Sequence, residues 1–208
     1  MEAAAYHMEY AQEVLAISLR YAERGSSLIH AVMMGASQCI ELEHYPRQDI
    51  VDTVHGTRLY YHAHGSHCKP DDEHGHFHVF QHVQHGKKSG EYMHLVGLSL
   101  NTLGQPIRFF TTNRWVTGET WHSAAEVEVA LAQFRIQTRG RLAPIARWVE
   151  NMVRLYQKPI AHMVHHRDHI MERRATQTDW ETLWEDRRLD VISEQKINLI
   201  TNLMETIE

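Results

Sequence analysis

The sequence predicts an α+β fold: an antiparallel meander sheet of four or more strands in the middle of the chain, flanked and covered by N- and C-terminal helices. Three observations carry that expectation. Apolar residues recur at helical spacing before residue 45 and after residue 123. Between 50 and 117 they gather instead in short runs rich in aromatic and aliphatic residues. Polar or glycine-bearing turns separate those runs. No internal repeat or linker breaks the order. A single domain over 1–208 is therefore expected, helical over 1–45, sheet over 50–117 and helical over 123–207.

In the first helix, residues 2 to about 24, Tyr6, Tyr10, Val14, Ile17 and Tyr21 share helical spacing, and Gly25 suits the position just past its end. Ser26 or Ser27 can cap a second helix to about Glu43, which Pro46 then breaks. The strands of the meander are the runs TRLYYHAH, HGHFHVFQHV, YMHLVGLSLN and PIRFFTTNRWV, joined by GSHCKPDDE, HGKKSGE and NTLGQ. Ser123 and Glu126 form a capping box for the next helix, which Gly140 ends. A long helix from Pro144 to about Arg174 should kink at Pro159, because proline removes a backbone donor and crowds the turn before it. Thr178 with Glu181 reads as a further capping box, and Ser193 can cap a terminal helix over EQKINLITNLMETI.

The hydrophobic and charged fractions, 43% and 23%, are those of an ordinary globular protein. No apolar run approaches the roughly 18–20 residues that span a bilayer. The N-terminus lacks the basic and apolar regions of a signal peptide, so a cytoplasmic location with no membrane contact is expected. Cys39 and Cys68 make no disulfide framework and read as thiols in a reducing compartment. Formal net charge is −5 with histidines neutral, and no dense Lys/Arg field exists, which disfavours nucleic acid as a partner. The departure from ordinary composition is histidine, at 18 of 208 residues.

Six of those histidines lie within residues 60–80, YYHAHGSHCKPDDEHGHFHVF. If 58–64 and 74–84 pair as a hairpin, the simplest register sets His64 opposite His74, His62 opposite His76 and Tyr60 opposite His78. Side chains alternate across a strand, so His62, His64, His74, His76 and His78 then share one face with Tyr60. Leu59, Tyr61, Ala63, Phe77 and Val79 share the other, a plausible core face. Opposed Cβ atoms lie roughly 4.5–5.5 Å apart, close enough for two imidazoles to share a metal at Zn–N distances near 2.0–2.1 Å. The competing reading is a solvated hairpin face. Cys68 and His67 belong to the loop, and Glu73, beside His74, would point to the opposite face if the strand already began there. Glu73, Tyr60 and Arg108 are the candidates for catalytic contacts: a carboxylate, a hydroxyl and an anion-binding guanidinium. Ser99 and Asn101 can share the face of Arg108.

A second group, His162, His165, His166 and His169, forms one stripe on a helix, since residues three and four apart are neighbours there. Its rotation borders an apolar face that carries Trp148, Met152, Leu155, Met163 and Ile170, which suggests a partly buried stripe packed over the imidazole face of the sheet. The string His162-x-x-His165-His166 resembles a histidine box of the membrane desaturases and hydroxylases over five residues. Those families carry transmembrane helices and several boxes, which this chain lacks, so the resemblance implies only that such a stripe can hold iron. The H-x-H at His62 and His64 resembles those of the metal-dependent amidohydrolases and the cupins. The chain is short for an amidohydrolase barrel and lacks a cupin's glycine spacing and second box. There is no G-x-S-x-G, P-loop, G-x-G-x-x-G or H-E-x-x-H.

The function these features predict is a small non-haem iron or copper oxidoreductase acting on a small molecule, because the histidine count exceeds the three that a hydrolytic zinc needs. Zinc hydrolase or lyase chemistry is the enzymatic alternative. A non-catalytic metal or haem binding or sensing protein is the other, although haem leaves the alternation unexplained.

Overall fold

The computed structural model describes residues 2–41, 43–64, 72–83, 91–199 and 201. Six strands form one antiparallel sheet in chain order: β1 (Tyr45–Asp52), β2 (Thr57–His62), β3 (Glu73–His82), β4 (Tyr92–Asn101), β5 (Pro106–Thr112) and β6 (Val191–Lys196). The helices are α1 (Glu2–Ala22), α2 (Leu28–Val32), α3 (Arg114–Thr117), α4 (Ala124–Gln133), α5 (Ala143–Leu155), α6 (Gln157–Ala175) and α7 (Trp180–Trp184). The α+β meander is present, with strands added at both edges.

One face of the sheet carries Leu59, Tyr61, Phe77, Val79, Leu98 and Phe109, all wholly buried. These pack in one core with Val14 and Ile17 of α1, Val32 of α2, Leu131 of α4, Trp148 of α5 and Val164 of α6. Removing apolar surface of this kind from water contributes about 1.5–3 kcal/mol per large side chain. Trp148 is fully buried and satisfies its indole by donating to Ser18 Oγ at 3.1 Å. Helices α1, α2, α4, α5 and α6 therefore pack on one side of the sheet, and the histidine-bearing face lies on the other.

Several element boundaries differ from the sequence expectation, each for a local reason. The second helix spans only Leu28–Val32, capped as expected by Ser27, and the chain then enters strand β1 through Tyr45. The long helix is two: α5 ends at Leu155, and Pro159 sits in the first turn of α6, where a missing N–H leaves no intrahelical bond unmade. α7 is capped by Asp179, whose carboxylate accepts from Thr182 N at 2.9 Å, and not by Thr178. Ser193 caps no helix. It lies in β6, donates to Met163 O at 2.9 Å and contacts Thr111 Oγ1 at 2.7 Å, tying the sheet edge to α6. Residues 202–208 of the expected terminal helix lie outside the described residues. The capping box of Ser123 and Glu126 opens α4 as expected.

The β2–β3 pairing sets Tyr60 opposite His78 and His62 opposite His76, as the alternation predicts. The β3–β4 ladder contains two irregularities. Gly75 pairs with Leu100 but Glu73 with Asn101, so His74 is an extra residue. Val79 pairs with Val96 but Phe80 with His94, so Leu95 is extra on the other strand. Each bulge inserts one residue and reverses the alternation beyond it. Among the described residues no helix is long and apolar enough to cross a membrane.

Candidate metal centre

His62, His76 and His78 project from adjacent strands onto the face opposite the main helical core, and all are buried. One ring nitrogen from each lies within 4.8 Å of the other two. Among the described residues this is the one group of three or more histidine, cysteine or carboxylate side chains so arranged, and it could hold a metal ion. Phe110 closes one side, with its ring 5.0 Å from that of His76 and 5.8 Å from that of His78. Tyr60 stands beside His62 and His78, with its other face stacked on His44 at 3.6 Å.

Two relays fix the rings from behind. His76 Nδ1 lies 2.6 Å from Glu73 Oε1. An ionised carboxylate only accepts, so Nδ1 carries a proton and Nε2 is turned to the centre. Glu73 is itself held, with Oε2 accepting from Ser99 Oγ at 2.6 Å and from Arg108 at 3.0 Å. Arg108 also pairs with Glu194. Burial pushes the Glu73 carboxyl up, but the bonds from His76 and Ser99 and the Arg108 charge outweigh it and hold it down to about 2. In the second relay, His78 Nδ1 lies 2.9 Å from His94 Nε2. His94 Nδ1 faces Thr112 Oγ1 at 3.3 Å and the buried Glu119 carboxylate at 3.9 Å.

The electrostatics keep His62, His78 and His94 neutral. Burial, then the neighbouring His76, His64 and His44, pull His62 down to about 2 against the opposing pull of Glu73. Burial, then the Arg167 charge and His76, pull His94 down to about 3. Burial and the surrounding histidines hold His78 well below the usual histidine range. Neutral imidazole is the form that ligates metal. The ligand fit rests on two positions. His78 Nε2 is buried with no partner among the described residues, a state that costs about 1–3 kcal/mol in an ordinary interior. His62 Nε2 and His76 Nε2 face each other at 2.7 Å, so a single proton lies between them. A cation held by both nitrogens would take the place of that proton.

The remaining sequence-predicted residues fall in different places. His64 follows β2, half-buried, with its ring 4.7 Å from that of His62. His74 is turned to the opposite face by its bulge, where Nδ1 meets the Tyr61 hydroxyl at 2.8 Å. The same bulge brings Glu73 onto the histidine face, contrary to its place in a strict alternation. Arg108 lies on that face but binds Glu73 and Glu194 rather than standing open to an anion. Burial pushes the Tyr60 hydroxyl up to about 12, so it stays protonated. His162, His165, His166 and His169 do not converge on the sheet. All four are exposed, and His165 pairs with Glu128 at 2.9 Å. α6 turns its inward face through Ile160, Met163, Val164 and Arg167 instead.

Sequence reasoning missed His94 and Glu119. Alternation counted back from Gly97 puts His94 on the core face, and only the extra Leu95 reverses it. Glu119 arrives on the connection after α3, which no short-range pattern marks. Gly97 is a third omission. It lies opposite His78, and a Cβ there would meet Phe110 Cζ at 2.3 Å. Gly97→Ala is expected to push the Phe110 ring toward His76 and His78, costing about 1–3 kcal/mol of stability, read from the denaturation midpoint. An unchanged midpoint would mean that the ring has room to move.

Fold and site together define the class: an α+β protein whose meander sheet carries a buried three-imidazole cluster on the face opposite its main helical core. Residues 8–197 match the family described as "Domain of unknown function (DUF6969)", and the chain belongs to that family. No curated protein and no solved structure matches it.

Proposed function

We propose that the chain is a histidine-ligated metalloenzyme that binds one transition-metal ion at His62, His76 and His78 and acts on a small molecule. The observation that carries this reading is the pair of relays. His76 and His78 are each held through Nδ1, so both aim Nε2 at the same buried point, and the His78 nitrogen has no partner among the described residues. Such outer partners orient ligands and typically govern affinity by 10–100-fold. Three protein ligands leave a coordination position open.

Redox chemistry at iron or copper is our first reading, since both suit imidazole and three neutral donors favour the lower oxidation state of either. Zinc hydrolase or lyase chemistry is the second, favoured by the ligand number, which is that of a catalytic zinc. In both, Glu73 fixes the His76 tautomer, Tyr60 and Phe110 shield the centre, and His94 orients His78. Metal analysis of protein purified without a nickel column decides between them. About one equivalent of iron or copper per chain, with a visible or paramagnetic signal, is expected. Stoichiometric zinc moves the assignment to the second reading. His76→Ala should lose the metal, while His166→Ala on the exposed helix stripe should retain it. Wild-type metal content in both His62→Ala and His76→Ala would end the proposal.

A further inference from the structure

The geometry points to a second ligand site, for a small quaternary or alkylated ammonium ion, in the cavity between α6 and α7. This cavity of about 270 Å³ is lined chiefly by three tryptophans, Trp121, Trp180 and Trp184, and two carboxylates, Asp168 and Glu172. Its volume is below that of typical drug-sized pockets, roughly 300–1,000 Å³, and suits a compact ligand. The indoles form a continuous wall, with the Trp184 ring 6.3 Å from that of Trp121 and 5.6 Å from that of Trp180. These spacings leave no room for a cation between the rings, so it sits against the wall and not within a sandwich.

Indole faces attract cations within about 6 Å of the ring centroid, and quaternary ammonium groups are the ligands that such walls recognise. Two faces already hold guanidiniums: Arg167 lies 4.3 Å from Trp121 and Arg114 lies 4.7 Å from Trp184. Neither arginine lines the cavity, and carboxylates neutralise both, Asp168 pairing with Arg167, and Glu181 and Glu185 with Arg114. The surplus charge of the cavity is then Glu172, exposed and without an ion-pair partner among the described residues. Trp180 carries no guanidinium and stands 39% exposed on a helix of five residues, an arrangement that core packing does not require. Aromatic faces and one uncompensated carboxylate together match a compact ammonium ion, and they repel anions.

Choline and its uncharged isostere 3,3-dimethylbutan-1-ol test the assignment on the full chain, followed by calorimetry and indole fluorescence. Choline should bind saturably, with the isostere at least about tenfold weaker. Trp180→Ala should weaken choline about tenfold and Glu172→Gln several-fold; both positions are exposed, and circular dichroism reports whether each variant folds. Equal binding of choline and isostere would reduce the cavity to an apolar slot and overturn the proposal. So would an absence of saturable choline binding, or wild-type affinity in both variants. Co-sedimentation with phosphatidylcholine vesicles in place of choline binding would transfer the site to a lipid headgroup and overturn the free-ion assignment.

Discussion

Freed of metal, the protein should lose stability steeply as pH falls below about 6.5. The fold keeps His62 neutral to about 2 and His94 to about 3, and holds His78 well below its usual range. In the unfolded chain each takes a proton near 6.5. The unfolded state therefore binds more protons throughout that window, and stability rises with pH across it. Each such histidine contributes about 1.4 kcal/mol per pH unit, so three together remove about 4 kcal/mol per unit. Against a total of roughly 5–15 kcal/mol, unfolding within one to four pH units below 6.5 follows. Glu73, held down to about 2, adds a further loss below its usual 4.5. Urea titrations of metal-free protein from pH 7.5 to 4.5 measure the slope. A flat profile would mean that the buried imidazoles accept protons without opening the fold. Bound metal should shift the loss to lower pH, since only the folded site binds it tightly.

Glu73→Gln should be the most damaging conservative change. The carboxylate takes the His76 proton, the Ser99 hydroxyl and the Arg108 guanidinium from a side chain that is 1% exposed. Breaking a buried pair by removing one partner costs about 3–5 kcal/mol, and the residual Arg108–Glu194 contact should keep the loss near the lower bound. Without a charged acceptor His76 is also free to change tautomer, so metal affinity should fall about 10–100-fold. Glu194→Gln is the comparison: its side chain is 44% exposed, and its loss should cost about 1 kcal/mol or less. Denaturant midpoints give the stability difference, and chelator competition gives the affinity. Wild-type metal affinity in Glu73→Gln would remove Glu73 from the site.

Much of the frame was legible in the residues. Runs of aromatic and aliphatic residues separated by turn residues marked β2 to β5, and alternation alone set Tyr60 opposite His78 and His62 opposite His76. The edges were not legible. β6 reads as an amphipathic helix start, because the hydroxyl of Ser193 suits a helix cap as well as a sheet edge, and only the packing of Met163 decides. The helix histidines misled for a related reason. Their stripe borders apolar positions, but α6 buries Arg167 in their place, with its guanidinium on Trp121 and donating to His122 O at 2.6 Å. Neither partner is near it in sequence. His74 and His94 exchanged faces for a third reason, since strand alternation is a count, and a count fails wherever a residue is left unpaired.

That last point turns spacing into an inherited trait. The three imidazoles of β2 and β3 keep company with Glu73 and His94 only because one unpaired residue stands at 74 and another at 95. Deleting either would leave His62, His76, His78 and His94 in the chain and yet turn Glu73 or His94 toward the helices. Within the family, the number of residues from the glutamate to the first histidine of H-x-H, and from the β4 histidine to its glycine, should separate members that keep the centre from those that have lost it. A single-codon deletion is then enough to retire the site while the fold survives.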